Sequence, residues 1–188
     1  VFVVITLYLS NVLGFTDIQA ATIAGVFSAC LYLLPTFSGA LADKIGFRKS
    51  MLLAFTLLSL GYLGLGLFPN FLASTGLVEY GYVTKFTGLQ ESGYRYGIIP
   101  IMILIIVGGS FIKSVISGTV AKETDEKNRA RGFAIFYGMV NIGAFSGKVL
   151  VTPLRDAMGH EGMIVLNYFS AGMTFLALIA IYLFILQE

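Results

Sequence analysis

Residues 39–49 read GALADKIGFRK, a short basic step between two long apolar runs at about 19–42 and 49–68. Gly39 and Gly46 suit a close helix approach and a tight reversal, and Asp43 stands where the first run ends. Its carboxylate is placed to accept bonds from the N-terminus of the following helix or from a neighbouring arginine. Lys44, Arg48 and Lys49 give the step its charge. A plain basic turn accounts for those bases, but not for two glycines spaced around an aspartate.

The composition fits such a step lying between membrane spans. Of 188 residues, 57% are hydrophobic and only 12% charged, where a soluble domain carries about 25% charged residues. Mean hydropathy is +0.87, and the charges cluster between long uncharged runs. The pattern reads as a polytopic all-α membrane protein. One cysteine, Cys30, excludes an internal disulfide and a cysteine metal cluster. The single His160 sits in a polar link and reads as a solvated loop side chain. A net charge of +2 is too small to suggest nucleic acid, and nothing points to a cofactor or a metal.

A helix needs about 20 apolar residues to cross the hydrocarbon. The sequence predicts a partial span at 1–13 and full spans near 19–42, 49–68, 98–121, 132–153 and 162–186, with a long connector at 69–97. The first run is short and has no basic leader, so the reading is of a truncated first helix and not of a signal peptide. The links after the second span (19–42) and the fourth (98–121) hold Lys44, Arg48, Lys49, Lys122, Lys127, Arg129 and Arg131. The remaining links hold only Lys85, Arg95 and Arg155. That asymmetry places the basic links, and with them both termini, in the cytoplasm. Tyr80, Tyr82, Tyr94 and Tyr96 in the connector suit a membrane interface, and no fold is predicted for that segment.

The step at 39–49 resembles the signature loop of the major facilitator superfamily, G-x-x-x-D-[RK]-x-G-[RK]-[RK]. Gly39, Asp43, Lys44, Gly46 and Arg48 match, and Phe47 stands where that family often has a base. The resemblance implies that 1–188 is the N-terminal six-helix bundle of a twelve-helix fold, with the C-terminal bundle absent. It also implies three-plus-three repeats within that half. In that family the loop locks the two halves on the cytoplasmic side, and the activity implied is secondary transport by alternating access.

A lysine inside the fourth span needs its own account. In GGSFIKSVISG, residues 108–118, Lys113 is the one charge. Snorkelling to the headgroups is one reading; a packed or polar face is the other, because Ser110, Ser114, Ser117 and Gly118 lie on or near the same side. In the fifth span Tyr137 and Asn141 share a face at i, i+4, and Gly143 and Gly147 form a GxxxG pair suited to tight packing. Asn141 reads equally as interhelical glue or as a cavity residue. Lys148 is accounted for by snorkelling.

Here a narrower resemblance enters. The proton-dependent oligopeptide transporter family carries Gly-x-x-x-Lys-Pro-Asn in its fourth span and Phe-Tyr-x-x-(Ile/Val)-Asn-x-Gly in its fifth. This chain has Gly109 and Lys113, then Phe136, Tyr137, Val140, Asn141 and Gly143. LYLSNVLGFTDIQAATIAGVF, residues 7–27, is similar to that family's first link. Ser114 and Val115 replace the Pro-Asn, Gly138 replaces a larger apolar residue, and the family's first-span Glu-x-x-Glu-Arg would precede Val1. By resemblance, Lys113 helps hold a peptide carboxylate or takes part in proton transfer, with Tyr137 and Asn141 beside it. The expected activity is proton-coupled symport of di- and tripeptides in a bacterial inner membrane. Transport of another small organic solute is the alternative, as is a non-transporting membrane sensor or scaffold. An enzyme is not expected: no paired carboxylates, no metal-spaced His/Cys set and no Gly-x-Ser-x-Gly occur.

Overall fold

The computed structural model describes residues 2–83 and 86–185. Val1, Lys85, Gln187 and Glu188 lie outside the described residues, as do the side chains of Arg155 and His160. The chain forms α1 (Phe2–Asn11), α2 (Asp17–Leu33), α3 (Pro35–Ile45), α4 (Phe47–Ser74), β1 (Tyr80–Val83), β2 (Phe86–Leu89), α5 (Ile98–Glu123), α6 (Arg129–Met158) and α7 (His160–Ile185). Among the described residues four helices are long and apolar enough to cross a membrane, and up to five if the bent α2–α3 pair is counted as one span.

Local chemistry sets several boundaries. Thr16 accepts the Gln19 N–H at 3.3 Å while Gln19 Oε1 accepts the Thr16 N–H at 3.2 Å, a capping box that starts α2. Pro35 then divides the second predicted span. It has no N–H to give the carbonyl of Leu31 and its ring crowds that carbonyl, so the axis bends by 44°. Gly46, at φ 97°, makes the reversal into α4 with no neighbour crowding it, so backbone freedom is what the position requires.

Two predicted boundaries differ. Helix α4 runs through Pro69 to Ser74, inside the stretch read as connector. The carbonyl that Pro69 leaves without its helical donor is that of Leu65, and the phenol of Tyr8 on α1 donates to it. Helix α6 runs through Pro153 to Met158, so the predicted link at 154–161 shrinks to a reversal at Gly159, φ 59°.

The connector has a fold after all. Strands β1 and β2 pair antiparallel, with Tyr80 opposite Leu89 and Gly81 opposite Gly88. The Leu89 N–H donates to Val12 O at 2.8 Å, which seats the hairpin on the end of α1. Tyr80 donates to Asn70 Oδ1 at 2.8 Å, and burial, then the Glu161 carboxylate and Tyr168, hold its phenol above the ordinary value. Arg95 is 2% exposed. Its Nη1 donates to the carbonyls of Leu13 and Gly14, its Nε to Ser92 O at 3.0 Å, and its guanidinium lies 4.7 Å from the Phe15 ring centre.

Helix α4 is the spine of the bundle, packed along α5 on one side and α7 on the other. The approach to α5 depends on absent side chains. A Cβ on Gly108 would lie 2.8 Å from Ala54 O, and one on Gly64 2.8 Å from Ile101. Leu9, Val12, Leu13, Leu65 and Ile98 are fully buried in the main apolar cluster.

Candidate functional site

Lys113 stands on α5 opposite the α2–α3 break. Its Nζ lies 3.4 Å from Leu31 O, the carbonyl that Pro35 leaves without a helical donor. The same ammonium sits 3.9 Å from the centre of the Tyr32 ring, whose side chain is 76% exposed. A cation over an aromatic face at an exposed site contributes about 0.5–1 kcal/mol. Lys113 is exposed, and no carboxylate pairs with it among the described residues. An ammonium has three donors, and here one meets a carbonyl while the others face outward.

The next residue holds the other side of the break. Ser114 Oγ donates to Pro35 O at 2.6 Å and lies 3.3 Å from Ser110 O and 3.4 Å from Ser38 Oγ. Ser38 Oγ in turn donates to Pro35 O at 3.3 Å. Close approach makes this possible: a Cβ on Gly39 would sit 3.5 Å from Ser114 Cβ, in ordinary contact. Gly109, one turn before Lys113, gives space to the Leu31 side chain. Of the serines read as sharing Lys113's side of the helix, Ser110 is buried and donates to Val107 O at 2.7 Å.

Tyr137 and Asn141 lie exposed on α6. The Tyr137 ring is stacked 6.4 Å from Phe133 and tilted 5.2 Å from Phe136. Among the described residues no hydrogen bond joins either of them to Lys113. Gly143 and Gly147 meet no neighbouring atom, so the GxxxG pair does not pack a helix here. With Lys148, Tyr8, Asn167 and Ser170 they line a cavity of about 420 Å³ bordered by α1, α4, α6 and α7, with Phe27 of α2 and Ile105 of α5 also on its wall. Lys148 thus borders a cavity as well as the surface.

In the basic step, Asp43 and Lys44 occupy the exposed last turn of α3, and Arg48 and Lys49 the exposed first turn of α4. No side chain caps α4. Its N-cap position is Gly46, which has no side chain to offer.

The profile of the Major Facilitator Superfamily matches residues 1–188. The chain belongs to that superfamily. Major facilitator proteins are transporters and not enzymes, and this chain is an integral multi-pass membrane protein of that fold. It is 30% identical over 156 residues to dipeptide and tripeptide permease A of Salmonella typhi, covering 80% of this chain and 26% of the permease. The same values hold for the permease of Salmonella typhimurium. It is 29% identical over 145 residues to the peptide transporter YePEPT of Yersinia enterocolitica, covering 73% of this chain and 23% of that protein. Distant homology to peptide transporters is thus established, and the chain spans about a quarter of the length of these curated relatives.

Reading the superfamily motifs alone misses Pro35, Leu31 O, Tyr32 and Ser114. One signal was present: a proline inside the apolar run LYLLPTFSG, residues 31–39, marks a broken helix and a carbonyl in need of a donor.

Proposed function

We propose that this chain is the N-terminal bundle of a proton-coupled symporter for di- and tripeptides that works by alternating access. The observation that carries the reading is Lys113: an exposed ammonium inside an apolar span, tied among the described residues to a carbonyl and an aromatic face. A charge at such a depth is expensive unless it serves a pathway. A peptide carboxylate would give it a charge-assisted bond stronger than a single neutral carbonyl does. The similarity to a peptide transporter and to a dipeptide and tripeptide permease supports peptides as the substrate class. The exposed faces of α6 around Tyr137 and Asn141 suit a second bundle across a central pathway. The basic step at 39–49 and both termini then face the cytoplasm, in a bacterial inner membrane.

The described spans hold no acid at depth. The proton is therefore carried by acids of the whole protein outside this segment, or by a relay in which Lys113 takes part. The test is uptake of dialanine into proteoliposomes holding the whole transporter, with and without an inward proton gradient. Lys113→Ala should lose at least about tenfold in gradient-driven uptake. Full uptake by that variant would remove Lys113 from the site. A wild-type protein that moves glucose or an amino acid but not dialanine would overturn the peptide reading, and one that shows no counterflow at all would be a scaffold.

A further inference from the structure

The two ties from α5 to the second span fall on opposite sides of its break. Lys113 holds Leu31, in the last turn of α2, and Ser114 holds Pro35, the first residue of α3. They differ in character. The Ser114 bond is short, at 2.6 Å, and sits among Ser38, Ser110 and the close face of Gly39. The Lys113 bond is long, at 3.4 Å, and exposed. The molecule holds a comparison for what a permanent tie looks like: the Leu65 carbonyl, orphaned by Pro69, is held by Tyr8, a side chain only 2% exposed. The carbonyl orphaned by Pro35 is instead served by a charge that a carboxylate can draw away.

We infer that Ser114 is a positioning residue for transport: it fixes α3 to α5 as one body, so that release of Lys113 from Leu31 lets α2 pivot at Leu34–Pro35. The step is an exchange of hydrogen-bond acceptors. The ammonium leaves one carbonyl oxygen and the Tyr32 face for an anionic oxygen, with no bond made or broken. Because α3 stays with α5, the basic step at 43–49 remains registered to the fourth span while the α2 end moves. Helix hinges of this kind are a few residues at an element's end that absorb the change. The identity of the trigger rests on the proposed peptide function; the hinge itself rests on the geometry alone.

Spin labels on the whole transporter test it, in a background with Cys30 and any other reactive cysteine replaced. One pair, Val26→Cys with Ile103→Cys, reports α2 against α5; the other, Phe37→Cys with Lys122→Cys, reports α3 against α5. Without any ligand, Lys113→Ala should shift or broaden the first distance distribution and leave the second unchanged. Ser114→Ala should broaden the second, and Ser114→Thr, which keeps the hydroxyl, should restore it. In dialanine counterflow Ser114→Ala should lower the maximal rate by about fivefold with half-saturation within about twofold of wild type. An unchanged first pair in Lys113→Ala, or an unchanged second pair in Ser114→Ala, overturns the hinge whatever the substrate. If the ligand-free shifts occur but dialanine moves neither pair in the wild type, the hinge stands and the peptide reading falls.

Discussion

The ammonium of Lys113 lies 3.4 Å from the carbonyl of Leu31, the one acceptor in that turn whose helical donor is replaced by the ring nitrogen of Pro35. A lysine on one helix and a proline on another are thus two halves of one feature. The proline opens a carbonyl, and the lysine covers it at the surface of the bundle.

Pro35→Ala should remove the reason for that pairing. Alanine restores the N–H that Leu31 O lacks and removes the ring that crowds that carbonyl, so the helix can run on across residue 35. The second span should straighten from its 44° bend, and the protein should gain melting temperature in detergent. Transport should fall several-fold, because Lys113 loses its resting acceptor and the span its hinge. Distances between labels on α2 and α3 measure the bend directly. An unchanged bend would mean that packing, and not the proline, sets it.

How far the sequence carried this picture depends on range. The capping box at Thr16–Gln19 and the glycine turn at Gly46 are local, and hydropathy alone separates the long spans. The hairpin at 80–89 was not legible, because its register and seat depend on Leu89 meeting Val12, far back in the chain. Lys113 was legible as an anomaly. Its partner was not, since a freed backbone carbonyl leaves no mark except the proline four residues later.

Arg95 should matter to stability far more than an ordinary connector arginine. It is buried, it supplies donors to Leu13, Gly14 and Ser92, and it stacks on Phe15. Glu91, 3.7 Å away and itself largely exposed, adds little to this. Arg95→Ala leaves buried carbonyls at the α1–α2 link without donors, at a cost on the order of 3 kcal/mol. Arg95→Lys should recover less than half of it, because an ammonium cannot spread over the fork that the guanidinium covers. Melting in detergent and protease cleavage within 75–97 would register the loss. A surface-like response to Arg95→Ala would contradict the burial.

Gly108→Ala tests the α4–α5 contact. The added methyl would meet Ala54 O at 2.8 Å and the backbone nitrogen of Leu58 at 3.1 Å, neither of which can swing aside. The helices must separate, at a cost of about 1–3 kcal/mol. Gly172→Ala is the control, since nothing lies within 4 Å of the position. That variant should melt with the wild type or slightly above it, because alanine favours the helix. Equal losses from both substitutions would show that helix propensity is not the relevant variable and that the close approach is not specific to Gly108.

Tyr8 and Pro69 should be coupled as strongly as neighbours, although they are not hydrogen-bonded to each other. Tyr8→Phe removes the donor to the Leu65 carbonyl in a buried site and should cost about 1–3 kcal/mol. In a Pro69→Ala background the backbone of residue 69 regains an N–H four residues beyond Leu65, and the carbonyl no longer depends on the phenol. The same Tyr8→Phe change should then cost well under half as much. A double-mutant cycle on melting free energies measures the difference, with an interaction of about 1 kcal/mol or more expected. Additive losses would mean that the α4 backbone does not close over Leu65 when proline is removed, and that the phenol answers to packing alone.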